Sequence, residues 1–194
     1  MDWEEKYQIG DCPWDKGEAS PGLQEWLNEH KFSGRVIVPG CGLGHDARYI
    51  ADACPDCEVL AIDLSPTAIM KARQLPNPKN VTFQEGNLFE LPEELIHSSD
   101  WVFEHTCLCA LPVGKRSEYI DSVRNLLKPK GKYLAVFFIN PDMDEGSEGP
   151  PFGISKKEIR NLFEEHFSID STWNPKSFYQ TRIDREMMGI LTKK

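Results

Sequence analysis

The sequence predicts a doubly wound α/β domain, a seven-stranded and mostly parallel sheet with helices on both faces. Three observations predict it. Short β-rich runs alternate with amphipathic stretches along the chain, the pattern that buried parallel strands require. A glycine-rich turn, Pro39-Gly40-Cys41-Gly42-Leu43-Gly44, follows the first of these runs, with a helix behind it from about Asp46. The chain has 194 residues, which suits one compact domain and is too short for two of enzyme size.

The elements follow in order, with no internal repeat and no dividing linker. Between Pro21 and His30 the residues Leu23, Trp26, Leu27 and His30 fall on one helical stripe. Strands are expected at Arg35-Val38, Glu58-Asp63, Val81-Glu85, Asp100-Glu104, Lys132-Ile139, Ser168-Trp173 and Glu186-Thr192. Ser65-Pro66 reads as an N-cap with proline at N1, opening a helix through Ile69, Met70 and Arg73. From Lys115 to Leu127 the residues Tyr119, Ile120, Val123, Leu126 and Leu127 keep helical spacing. Ser155-Lys-Lys-Glu158 is a capping box ahead of Ile159, Leu162 and Phe163. In such a sheet, ligands sit at the carboxyl ends of the strands.

Composition removes several function classes. Asp and Glu number 31 against 22 Lys and Arg, a net charge of −9 that repels phosphate backbones, and no basic stripe is present. With 40% hydrophobic and 10% aromatic residues the chain can build a core, so general disorder is excluded. The longest apolar run, Tyr133-Leu-Ala-Val-Phe-Phe-Ile139, is far shorter than the ~20 residues of a membrane-spanning helix. The opening Met1-Asp-Trp-Glu-Glu has neither the basic nor the apolar region of a secretory signal, so a cytoplasmic protein is expected. Nucleic acid and membrane are therefore not expected partners, and a chain with no spare domain or obvious apolar patch is expected to be a monomer. Six cysteines are too sparse for a disulfide scaffold and read as reduced thiols. Cys54-Pro-Asp-Cys57 has CxxC spacing, but its partner pair would be Cys107-Leu-Cys109, whose one-residue gap suits zinc poorly. The two pairs also fall at opposite ends of the sheet, and no metal site is expected.

Chemistry concentrates at strand ends. Glycines let the backbone approach a ligand closely, and the helix N-terminus behind them offers free N–H groups. Asp63 closes the second strand nineteen residues after Gly44, where an acid accepts hydrogen bonds from ribose hydroxyls. After the third strand, Gly86-Asn87-Leu88 offers an amide for the adenine edge and an apolar side chain for its ring. Together these indicate an adenosine-bearing cofactor. Gly42-Leu-Gly44-His-Asp-Ala47 also satisfies the dinucleotide pattern G-x-G-x-x-A. A nicotinamide enzyme, however, usually adds a substrate domain, and little chain remains for one.

The alternating Gly40, Gly42 and Gly44 resemble the first motif of class I S-adenosylmethionine-dependent methyltransferases. Leu126-Leu127-Lys128-Pro129-Lys130-Gly131 resembles their L-x-P-x-G turn before the fifth strand. The resemblance narrows at Trp3-Glu-Glu-Lys-Tyr7, Pro13-Trp14-Asp-Lys-Gly17 and Pro21, which are similar to the N-terminal segment of the thiopurine S-methyltransferase superfamily. Val38-Pro39-Gly40 through His45-Asp46, Phe103-Glu104-His105 through Leu111, Gly149-Pro-Pro-Phe152 and Arg182-Ile-Asp-Arg185-Glu186 look most like its halide/thiol methyltransferase branch.

That resemblance implies a single Rossmann-like class I methyltransferase domain over residues 1–194, with residues 1–30 as an N-terminal lid segment. It implies S-adenosyl-L-methionine as cofactor and a small soft nucleophile as substrate, whether thiol, sulfide, thiocyanate, halide or thiopurine-like. Carried over, Trp3, Tyr7 and Trp14 would fold over the cofactor. Gly40 and Gly42 would lie at its methionine end, Asp63 at the ribose, Asn87 and Leu88 at the adenine, and His105 near the sulfonium. Trp14, Phe152 and Arg182 would meet the substrate. Asn87 stands where the branch often has Asp, and His105 where relatives carry an aromatic or basic residue.

Methyl transfer is an in-line displacement. An anionic nucleophile needs no strong base, so alignment and removal of water are the main work, and no catalytic residue is assigned. Trp14 either closes the pocket over the sulfonium or anchors the N-terminal arm. Glu104 is not assigned as a base, because a carboxylate beside an anionic nucleophile repels it. His105 is a cofactor contact, a hydrogen-bond donor to substrate or a structural ring. Cys107 and Cys109 alternate faces if the strand continues, so at most one faces the pocket. Arg182 attracts an anion or forms a surface salt bridge with Asp184 or Glu186. An anionic substrate in an acidic protein requires a locally neutral or basic pocket, which points to Arg182, Arg185 and His105. The alternatives are an NAD-binding oxidoreductase and a non-catalytic adenosine-ligand sensor. A DNA amino-methyltransferase is disfavoured, since Asn140-Pro141 follows the fifth strand rather than the fourth and lacks the second proline.

Overall fold

The protein is described by a computed structural model covering residues 1–139 and 149–194, so the Asn140-Pro141 pair lies outside the described residues. Its strands are β1 (Arg35–Pro39), β2 (Glu58–Asp63), β3 (Val81–Glu85), β4 (Ser99–His105), β5 (Leu127–Phe138), β6 (Phe167–Trp173) and β7 (Glu186–Lys193). They form one sheet in the order β3-β2-β1-β4-β5-β7-β6. Every pairing is parallel except those of β7, which runs antiparallel to both β5 and β6. The expected mostly parallel seven-stranded sheet is present.

Alternation along the strands explains why both faces are covered. On β1, Val36 and Val38 enter one core with Leu23 and Trp26 of α2 (Pro21–Glu29), Ile50 of α3 (His45–Ala53) and Ile69 of α4 (Pro66–Gln74). Ile37 points the other way, into a core with Tyr119 and Val123 of α5 (Arg116–Leu126) and Phe163 of α6 (Lys156–Phe163). The caps form as their residues dictate. Ser65 Oγ accepts from Ala68 N with Pro66 in the first turn, and Ser155 with Glu158 completes a reciprocal capping box.

Two local features depart from expectation. A short helix α1 (Trp3–Ile9), capped by Asp2 and ended by Gly10 at φ 75°, stands in the N-terminal segment. The Lys128-Pro129-Lys130-Gly131 turn is not a prelude to β5 but an irregularity inside it. Leu127 already pairs with Ser99, the register shifts, and pairing resumes at Trp101 with Lys132. No helix among the described residues is long and apolar enough to cross a membrane.

The chain winds outward from β1 to β3 on one side and from β4 onward on the other. The crevice between the carboxyl ends of β1 and β4 is thus the switch point where such sheets bind ligands.

Candidate active site

A cavity of about 480 Å³ opens at that switch point, within the ~300–1,000 Å³ typical of cofactor and small-molecule sites. The turn after β1 forms its base. Gly40 has φ 60°, and a Cβ there would lie 2.9 Å from Cys107 Sγ. Gly42 has φ 53°, and a Cβ there would meet Tyr7 Oη at 2.7 Å. A side chain at either position would be strained and would intrude on a neighbour, so the turn needs glycine twice.

Asp63, at the end of β2, fixes this turn. Its Oδ2 accepts from Gly42 N at 2.8 Å and its Oδ1 from Ser65 N at 2.9 Å. Burial raises its pKa against the pull of those hydrogen bonds. The Leu64 backbone bonds the carboxylate too, which with about four lone-pair positions still keeps one for a ligand, and Asp63 lines the cavity. Past β3, Asn87 Oδ1 accepts from Phe89 N at 3.0 Å and shapes the loop that brings Asn87 and Leu88 to the same cavity.

The roof is aromatic. Trp14 meets the ring of Trp3 edge-on at 5.1 Å and that of Tyr7 at 5.7 Å, and its Nε1 donates to Tyr7 Oη at 3.0 Å. All three line the cavity. Glu4 latches α1 to the start of α4, accepting from Ser65 Oγ (2.5 Å), Thr67 N (3.1 Å) and Thr67 Oγ1 (2.5 Å). Those donors hold the Glu4 carboxyl down at about 2. Lys71 Nζ adds a bond to Tyr7 O at 2.6 Å. Sequence reading missed this latch, because its two halves lie about sixty residues apart and neither carries a motif.

The opposite wall holds a polar chain. Asp46 Oδ2 meets His105 Nδ1 at 2.9 Å, Arg182 Nη1 meets His105 Nε2 at 3.0 Å, and Arg182 Nη1 donates to Glu186 Oε1 at 3.2 Å. The Arg182 guanidinium also lies over the rings of Phe138 (4.9 Å) and Tyr179 (5.6 Å), and Tyr179 stacks with His105. Burial disfavours the His105 imidazolium, but Asp46 and Glu186 outweigh it and lift the ring to about 9. Arg182 is therefore no surface ion pair. It is buried, 7% exposed, and faces the cavity while paired to Glu186. The sequence left Arg182 open between an anion contact and a surface salt bridge, because spacing does not reveal the aromatic shelf beneath it.

Three further expectations are corrected or narrowed. Both Cys107 and Cys109 line the cavity, not one. The strand does not continue past His105: Thr106 takes φ 59° and a 3₁₀ turn follows at Leu108–Ala110, which breaks the alternation. Burial raises both thiols, Cys109 to about 12. Phe152 is not among the cavity-lining residues, whereas Pro150 and Pro151 are, and Arg185 is not a lining residue either. Glu104 lies behind the wall, fully buried, accepting from Leu108 N at 2.9 Å and Tyr119 Oη at 3.2 Å. Burial pushes its carboxyl up to about 7. Among the described residues, no group of three or more His, Cys, Asp or Glu could hold a metal ion.

Known proteins match this chain along nearly its whole length. The family model of thiopurine S-methyltransferase matches residues 1–192. The chain is 34% identical to probable thiol methyltransferase 2 of Arabidopsis thaliana, over 82% of this chain and 70% of that protein. It is 33% identical to thiocyanate methyltransferase 1 of Brassica oleracea, over 99% of this chain and 80% of that protein. A thiopurine S-methyltransferase of Acinetobacter baylyi is 28% identical over 86% of this chain and 84% of its own. Among solved structures, a SAM-dependent methyltransferase from Aquifex aeolicus superposes with TM-score 0.72 at 16% identity, covering 99% of this chain and 98% of its own. A TehB-like SAM-dependent methyltransferase from Corynebacterium glutamicum gives 0.68 at 16% identity, covering 98% of each chain. These two show the fold, a Rossmann-like class I methyltransferase domain.

Proposed function

The chain belongs to the thiopurine S-methyltransferase family, and on that premise we propose how its cavity divides the work of methyl transfer. The protein is an S-adenosyl-L-methionine-dependent methyltransferase acting on soft nucleophiles. When bound, S-adenosyl-L-methionine supplies a methyl group activated on a sulfonium.

The residues of the cavity fit that molecule. The Gly40 and Gly42 backbone leaves room that a Cβ would fill, and the buried Asp63 carboxylate keeps an acceptor position for a ribose hydroxyl. Asn87 and Leu88 flank the adenine, and Trp3, Tyr7 and Trp14 form the cover. The cover is shorter than residues 1–30. Cavity contacts of this segment end at Glu18, whereas Leu23, Trp26 and Leu27 of α2 are core residues. The lid function therefore falls to α1 and the loop behind it.

The acceptor side is the wall of Arg182, His105, Phe138 and Tyr179, and the observation that carries this reading is the buried Arg182. A cation already paired with Glu186 and laid on two aromatic rings holds a small anion without a large net charge, and the apolar surround strips its water. This satisfies the requirement for a locally neutral pocket in a protein of charge −9. We assign substrate contact to Arg182, His105 and Trp14, not to Phe152. The acceptor is a small thiol, sulfide or thiocyanate-like anion. The net charge supports action on small molecules rather than nucleic acid, and six free cysteines support a reducing, cytoplasmic setting.

A methyl-transfer screen over thiocyanate, sulfide, iodide and thiols, with S-adenosylhomocysteine formation as readout, tests the reading. Turnover of at least one such nucleophile is expected, with Arg182→Met losing tenfold or more in kcat/KM. Cofactor binding without turnover of any acceptor would favour the sensor alternative. Tight binding of NAD alone would favour the oxidoreductase.

A further inference from the structure

The wall behind the acceptor carries no net charge of its own. Its two carboxylates, Asp46 and Glu186, face two cations, Arg182 and the His105 ring, which at about 9 keeps its proton at neutral pH. An anion meeting such a wall gains hydrogen bonds but little net Coulomb attraction. An uncompensated charge comes from the lid side, where Lys16 lines the same cavity. The loop that carries Lys16 is tied down on both flanks. Asp15 Oδ1 lies 3.0 Å from His45 Nε2 at the start of α3 and accepts from Gly17 N at 3.0 Å. Glu18 O accepts from Tyr179 Oη at 2.9 Å, and the ring of Tyr179 is part of the shelf under Arg182. Lys16 therefore hangs between α3 and that shelf. Among the described residues its ammonium donates only to Pro13 O, an uncharged acceptor, at 2.6 Å, which leaves two N–H groups. Burial, and then the charge of Arg182, lower its pKa against the pull of Asp15. Glu18, the other acid of this loop, is exposed to water, which weakens its field.

We propose that Lys16 is the residue that selects anionic over neutral acceptors, its ammonium facing Arg182 with the charge of the acceptor held between them. The inference rests on the methyltransferase reading above. Two cations brought together in a half-buried site repel each other, and an anion between them turns that repulsion into attraction on both sides. The acceptor thus draws the lid loop onto the wall, and a neutral molecule of the same shape does not. The same charge favours release of product. A sulfur electron pair of thiocyanate forms the new S–C bond as the bond from methyl to the donor sulfonium breaks, its electrons remaining on the departing thioether. The product, methyl thiocyanate, is neutral. Lys16 and Arg182 then face each other across an uncharged molecule, and the attraction that held the acceptor is gone.

The test measures binding of thiocyanate and of methyl thiocyanate to the S-adenosylhomocysteine complex of wild type, Lys16→Met and Lys16→Arg, beside kcat/KM for thiocyanate. Lys16→Met is expected to weaken thiocyanate binding and to lower kcat/KM at least tenfold, with methyl thiocyanate and S-adenosylhomocysteine binding within twofold of wild type. Lys16→Arg, which keeps the charge, is expected to hold thiocyanate within threefold. Thiocyanate affinity within twofold of wild type in Lys16→Met would overturn the proposal, as would a wild-type complex that binds no thiocyanate. A loss shared equally by methyl thiocyanate would make Lys16 a packing residue and overturn it too. Should Lys16→Met fail to fold, lysine-labelled wild type decides. Thiocyanate is expected to shift the Lys16 side-chain signal, identified by its absence in Lys16→Arg, and a signal that stays in place at saturating thiocyanate refutes the contact. If wild type methylates no acceptor, the functional reading fails, and the binding measurements still decide the role of Lys16 separately.

Discussion

Replacing Asp63 by Asn keeps the shape of the side chain and removes its charge. In the free protein the effect is small by cancellation. The amide has one acceptor oxygen for two backbone donors, Gly42 N and Ser65 N, so one of them faces an NH₂ group. An unsatisfied buried donor costs ~1–3 kcal/mol, but the substitution also relieves the burial of a carboxylate whose pKa is already raised by desolvation. A net change of about 1 kcal/mol, or ~2–4 °C in melting temperature, is expected for a domain of this size. Cofactor binding has no such offset. A hydrogen bond to a charged acceptor contributes ~1.5–3 kcal/mol, so losing the charge at the ribose should weaken affinity by roughly tenfold to 150-fold. Titration calorimetry with S-adenosylhomocysteine, beside the melting curve of each protein, measures both quantities. A folded variant that binds within twofold of wild type would refute the placement of the ribose on Asp63.

Other outcomes follow from the same geometry. Gly42→Ala forces a side chain onto a left-handed backbone, at ~1–2 kcal/mol, and against Tyr7 Oη. It should weaken S-adenosylhomocysteine binding and shift Trp14 fluorescence, and full affinity would contradict the lid contact. Glu4 has its carboxyl depressed to about 2 from 4.5, so its latch is intact above about pH 4.5 and is lost as pH falls towards 2. Acrylamide quenching of Trp3 and Trp14 should rise over that window, and Glu4→Gln should already show high quenching at pH 7. Glu104 has its carboxyl raised to about 7, so the folded state binds the extra proton and stability declines as pH climbs from about 4.5 to 7. The loss is up to about 3 kcal/mol, and Glu104→Gln should flatten the difference between melting temperatures at pH 5 and pH 8. Trp14→Ala should reduce turnover more than it lowers the melting temperature; the reverse pattern would make Trp14 an anchor.

Legibility in the sequence tracked locality. The Ser65-Pro66 start, the Ser155-Glu158 capping box and the period-two strands are short-range patterns, and each formed where its residues stand. That Gly40, Gly42, Asp63 and Asn87, proposed above to hold the cofactor, would line one cavity was legible for the same reason, because each sits at the carboxyl end of a strand in a sheet whose switch point is set by order. The wall around Arg182 was legible only in part: Arg182, His105 and Trp14 line the cavity, and Phe152 and Arg185 do not. Alternation runs along β4 only to His105; Thr106 then takes a positive φ and turns the chain, so Cys107 and Cys109 do not obey it. Arg182 reads equally as an anion contact or a surface ion pair until β7 inserts between β5 and β6 and carries its neighbourhood to the end of β4.

By itself, then, the sequence determined the sheet, its helices and the place of the glycine turn, because those depend on periodicity and on backbone conformations that few residues tolerate. Tertiary structure decided what the pocket can do. Glu4 reaches Ser65 and Thr67, and His105 stands between Asp46 and Arg182, only because the fold brings distant segments within hydrogen-bonding range. Burial at those contacts then sets the charges, and no local pattern encodes it.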